Sequence, residues 1–138
     1  MKLLDGDIWI SESQKLKVET VYGDFVIDGK NAFISMDLKK DQVTIRLGNA
    51  RALIRDRSGD VVPLNFGEEM WVGALTRDGK QLRGAPNPVQ WSWFVKEWAR
   101  KFPYPEKILA SKQEIRKISK ERVETSADIQ QEVVDRKI

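Results

Sequence analysis

Tryptophan and arginine are the residues here best suited to recognition, and both are clustered. Five Trp occur in 138 residues, three of them within Trp91-Ser92-Trp93-Phe94-Val95-Lys96-Glu97-Trp98. At helical spacing Trp91, Phe94, Val95, Trp98 and Phe102 share one side, a stripe suited to packing. Trp93 falls nearly opposite, beside Lys96, Glu97 and Arg100. An indole flanked by charges can anchor a protein or glycan partner, because Trp and Arg dominate binding hot spots. It can equally pack under the loop 77–88 or the C-terminal tail. We take Trp93, Lys96 and Arg100, with Ile115 and Ile118 of the tail, as the candidate partner-contact residues.

Other charged groupings suggest less. Arg46, Arg51, Arg55 and Arg57 could hold an anion, but at alternating positions they suit a solvated sheet face whose charges oppose edge aggregation. Asp5 with Asp7, and Glu68 with Glu69, are the closest carboxylate pairs. Neither lies in a Ca²⁺-loop pattern or a recognisable glycosidase arrangement.

Composition narrows the chemistry further. Cys and His are both absent, which removes disulfides, thiolate ligands and the commonest near-neutral acid/base and metal ligand. No phosphate-cradling Gly loop, nucleophile elbow or zinc-protease motif is present. The expectation is a non-catalytic protein with no cofactor and no metal. A formal charge of +3, dispersed along the chain, does not describe a nucleic-acid interface. No apolar run approaches the ~18 residues of a membrane helix, and Asp5 and Asp7 interrupt any signal-peptide core at the N-terminus. These features suit a cytoplasmic protein or a piece of a longer secreted chain.

The elements that must position these residues are mostly strands. From Leu16 to Val72 apolar and polar residues alternate, as in Val43, Ile45 and Leu47 against Thr44 and Arg46. Asp7–Ile10 reads as a lead-in strand. Asp28-Gly29 and Gly48-Asn49 read as hairpin turns, since both pairs tolerate positive φ. Leu38–Asp41, Ser58-Gly59-Asp60 and Phe66-Gly67-Glu68 read as further turns, and Pro63 places its strand at an edge or bulge. The expected fold is mostly β: an antiparallel sandwich or open barrel of about eight short strands, followed by a docked amphipathic helix and a polar helical tail. Residues 1–76 would form the β domain. Residues 77–104 would be a surface connection and the docked helix, with Asn87 as cap and Pro88 in its first turn. Residues 105–138 would be the tail, whose thin stripe suits a partner or a second copy of the chain.

The strand-rich stretch resembles the FecR-like domain family of bacterial envelope and signalling proteins. Leu16-Lys17-Val18-Glu19-Thr20-Val21-Tyr22-Gly23 looks like its V-x-T-x-x-G strand and corner. Ala32-Phe33 stands where the family has Thr before an aromatic, and Asn31-Ala32 replaces its usual Gly-Thr. Val43-Thr44-Ile45-Arg46-Leu47-Gly48 resembles V-x-V-x-x-G, and Val62, Leu64 and Gly67-Glu68 resemble v-x-L-x-x-G-E. The resemblance covers about half the chain. It implies a periplasmic or envelope module that binds another protein in sensing or scaffolding. A β-sandwich that binds cell-wall glycan or peptidoglycan through an exposed Trp is the alternative.

Overall fold

The structure, a computed structural model, describes residues 1–90 together with Glu97 and Arg100. Eight strands form one antiparallel sheet: β1 (Gly6–Ile10), β2 (Gln14–Glu19), β3 (Gly23–Asp37), β4 (Gln42–Asp56), β5 (Val61–Leu64), β6 (Glu68–Leu75), β7 (Gln81–Arg83) and β8 (Asn87–Pro88). The path runs β1-β3-β4-β6-β7. β2 lies on β3, β5 on β4 and β8 on β6.

The centre is a ribbon of two 15-residue strands, β3 and β4, paired from Gly23↔Asp56 to Asp37↔Gln42. Its first half, around Phe25 and Ile54, carries β2 and β5 on its two edges. Its second half, around Ile34 and Ile45, carries β1 and β6. Core-facing residues are odd-numbered in the first half of β3 (Phe25, Ile27) and even-numbered in the second (Ala32, Ile34, Met36). In β4 the parity switches too, from Val43, Ile45 and Leu47 to Ala50, Ala52 and Ile54.

The switch sits where Asn31 (φ 59°) faces Gly48, between the pairs Lys30↔Asn49 and Ala32↔Leu47. A left-handed residue there turns the strand about its axis, so both halves point into one core. Gly29, two residues earlier, has φ 129°, and a Cβ there would lie 2.3 Å from the Asn49 carbonyl oxygen. No other residue fits so close to the neighbouring backbone. The ribbon doubles over: Tyr22, just before β3, reaches Asp41, in the hairpin just after it. Phe25, Ile27, Ile34, Ile45, Leu47 and Ile54 are each fully buried in the common core. Each contributes about 1.5–3 kcal/mol of hydrophobic stabilisation.

Several expectations need correction. The strands are not all short members of a sandwich; two long ones are continuous through both predicted hairpin turns. Neither pair reverses the chain: Gly29, with Asn31, bends the ribbon through positive φ, and Gly48-Asn49 continues β4 opposite that bend. The predicted helix start, Asn87-Pro88, is strand β8, paired with Glu69 and Glu68. The Asn87 side chain donates to the Ala85 carbonyl rather than capping a helix. Residues 77–88, expected as a bare connection, supply β7 and β8. The regular elements among the described residues are all strands. The stripe Trp91, Phe94, Val95, Trp98 and Phe102 and the tail 105–138 lie outside the described residues. Pro63 does sit in an edge strand, β5, which pairs with β4 alone.

Candidate functional site

The site is built on the sheet face that points away from the core in the second half of the ribbon. Alternation there places three rows side by side. Asp7, Ser35, Thr44 and Trp71 form one across β1, β3, β4 and β6. Trp9, Phe33, Arg46 and Glu69 form the next, and Asp37, Gln42 and Gly73 the third. Intervening rows, such as Ile8, Ile34, Ile45 and Met70, face the core.

The middle of this face is apolar and charged at once. Trp9 stacks on Phe33 with ring centroids 5.8 Å apart and planes at 17°. The Trp9 indole N–H donates to Asn31 Oδ1 at 3.3 Å, tying the face to the kink. Beside them Arg46 Nε donates to Glu69 Oε2 at 3.0 Å, with both side chains largely covered. Burial lowers the Arg46 pKa against the pull of Glu69, Asp7 and Glu97. The same burial raises that of Glu69 against the Arg46 cation. The guanidinium keeps its charge.

Toward the β3–β4 hairpin the face opens into a basin of about 700 Å³. Its lining is polar. Among its described residues, Asp5, Asp7, Asp37 and Glu97 stand against Lys39, Lys40, Arg46 and Arg100, with Ser35, Gln42 and Thr44 among them. Arg100 is exposed and ion-paired with Glu97. Among the described residues no three His, Cys, Asp or Glu side chains are placed to hold a metal ion. No helix among the described residues is long and apolar enough to cross a membrane.

The chain shows similarity to known proteins only at the level of structure. No protein-family model matches it, and no curated protein sequence does. Among solved structures it is similar to a candidate anti-sigma factor from Parabacteroides distasonis ATCC 8503, at 14% identity and a TM-score of 0.45. The match covers 70% of this chain and 47% of that one, so the chain spans about half the neighbour's length.

Of the sequence-derived contact residues, Arg100 reaches this basin. Trp93, Lys96, Ile115 and Ile118 lie outside the described residues. The four arginines do not form one patch. Arg46 is on this face, and Arg51 and Arg55 are on the outer face of the other half. The Arg51 guanidinium sits 4.6 Å from the centre of the Phe66 ring. Arg57 donates to the carbonyls of Thr20 and Val21 and pairs with Asp24 at 3.0 Å. The carboxylate pairs also separate by role. Asp5 and Asp7 line the basin, while Glu68 is buried and accepts from the Asn65 amide at 2.8 Å. Sequence reasoning passed over Trp71 as a strand member. Its place between the core residues Met70 and Val72 was the signal that it faces outward.

Proposed function

We propose that this chain is a non-catalytic protein-binding module of the cell envelope, of FecR-like type, that helps transmit or scaffold a signal. The observation that carries the reading is the structural use of its motif residues. Thr20 Oγ1 accepts from the Tyr22 and Gly23 amides at 3.2 and 3.1 Å and donates to the Gly23 carbonyl at 2.8 Å. That makes T-x-x-G a self-contained corner between β2 and β3. In L-x-x-G-E, Leu64 is buried, Gly67 takes φ 69°, and the Glu68 carboxylate closes the turn onto Asn65. Two of the motifs that suggested the family from sequence, T-x-x-G and L-x-x-G-E, are thus corner devices, while Ala32-Phe33 and Val43–Gly48 lie within β3 and β4. The envelope location and a protein partner follow from that resemblance.

The partner surface we assign is the region of Arg100, with Trp93, Lys96, Ile115 and Ile118 contributing from the sequence reading. Self-association through the tail belongs to the same proposal. The test is photo-crosslinking in the source cells, with the crosslinking residue at position 100 or at Lys15, which is exposed on the outer face of the ribbon's first half. A discrete protein adduct from position 100 and none from position 15 supports the proposal. Identical patterns from both positions, or no adduct from either, overturn it.

A further inference from the structure

We infer that the outer face of β1, β3, β4 and β6 is an oligosaccharide-binding site in which Trp71 is the stacking platform. The inference does not depend on the protein-binding reading, which places none of its contacts on Trp71.

Trp71 is 39% exposed, yet its ring has a prepared bed. A Cβ at Gly84 would lie 2.5 Å from the indole Nε1 and 2.8 Å from Cδ1, and one at Gly73 would lie 3.2 Å from Cζ3. The indole therefore lies close against two glycines, in space that a side chain at either would fill. Gly inside a strand weakens it and marks places where something approaches closely. At Gly73, inside β6, and at Gly84, just after β7, that something is the ring itself. A part-exposed aromatic seated against backbone is what an apolar sugar face stacks on, and a side chain with few rotatable bonds loses little entropy on binding.

The surroundings specify the ligand further. From Trp71 the row continues through Thr44 and Ser35 to Asp7, three strand spacings or about 14 Å, and enters the basin. Thr44 and Ser35 are half-buried hydroxyls and Gln42 a half-buried amide, so donors and acceptors are mixed along the path. Sugar hydroxyls need both. Among the described residues of the basin acids and bases are equal in number, a balance that favours neither a polyanion nor a polycation. A neutral polyhydroxylated chain of two or three pyranose rings fits this length and this balance.

The experiment titrates the full chain with chitotetraose, cellotetraose and maltotetraose, read by calorimetry and by the indole N–H resonances. Trp71→Phe assigns the Trp71 signal. Saturable binding of one probe that moves the Trp71 resonance is expected. Trp71→Ala should weaken it about tenfold or more, consistent with an aromatic contact of ~1.4 kcal/mol, and Trp71→Phe should retain most of it. Thermal melting of each variant verifies that it folds. Absence of saturable binding by all three probes at millimolar concentration overturns the inference. So does equal affinity in folded Trp71→Ala, or a Trp71 shift caused by a proline-rich peptide and by no sugar.

Discussion

The Tyr22 hydroxyl donates to Asp41 Oδ1 at 2.8 Å, joining the two ends of the β3 strand. A straight strand of 15 residues would hold those ends roughly 45 Å apart. The bond exists because the ribbon folds over at Asn31 and Gly48. Tyr22 is buried, and that burial, followed by the Asp41 hydrogen bond and charge, pushes its pKa up to about 12.

The Tyr22 hydroxyl therefore links folding to alkaline pH. Its folded pKa is raised, so its contribution is complete below pH 10, the ordinary value, and is lost as pH climbs toward about 12. Tyr22→Phe should cost about 1–2 kcal/mol at neutral pH, by urea unfolding. The gap between wild type and variant should close as pH rises through that window. A gap that stays constant would place the phenol outside the linkage.

The kink should tolerate only residues that accept its backbone. Gly29→Ala drives a Cβ into the Asn49 carbonyl and should cost more than about 3 kcal/mol. Asn31→Gly keeps the left-handed conformation but loses the bonds to Trp9 and Asn49, for about 1–2 kcal/mol. Asn31→Val loses both and should be clearly worse than Asn31→Gly. Equal melting temperatures for the two Asn31 variants would contradict this account of the bend.

This kink also shows what the sequence could and could not convey. The alternation of Val43, Ile45 and Leu47 announced a strand with one buried face, and it is one. Gly29 announced unusual backbone, also correctly, whereas Gly48-Asn49 runs on through β4 without a positive φ. Whether such residues reverse a chain or bend it depends on partners far away, here Asn31 against Gly48, and local pattern holds no such information. Asn87-Pro88 failed for a similar reason: a cap-like pair was captured by the open edge of β6. The basin was illegible, because Asp5, Ser35 and Arg46 meet only through strand pairing. Trp71 was legible by parity alone.

The T-x-x-G corner should depend on the Thr20 hydroxyl. Thr20→Val leaves the buried amides of Tyr22 and Gly23 without their acceptor and should cost about 2 kcal/mol. Thr20→Ser should recover most of that. Chemical denaturation of the pair separates the hydroxyl from the methyl, and equal losses would assign the corner to packing.

Arg83 should fasten β7 to the β4–β5 hairpin. Its Nε lies 3.3 Å from Asp56 Oδ2, which is buried and has no aligned hydrogen-bond donor, and its Nη2 lies 3.6 Å from Asp60. Removing the cation leaves a buried carboxylate oxygen uncompensated. Arg83→Ala should cost about 1–3 kcal/mol, the solvent-facing side of the guanidinium keeping it below a fully buried pair. Double substitution with Asp56→Asn should be less than additive. Strict additivity in a double-mutant cycle would show that the two groups do not interact.

The protein-binding reading is tested most directly by affinity capture from an envelope extract of the source cell, with wild type and Trp93→Ala as parallel baits. The reading predicts one protein retained by wild type, lost about tenfold or more with Trp93→Ala, and rebinding the chain when purified. The same background on both baits would contradict it.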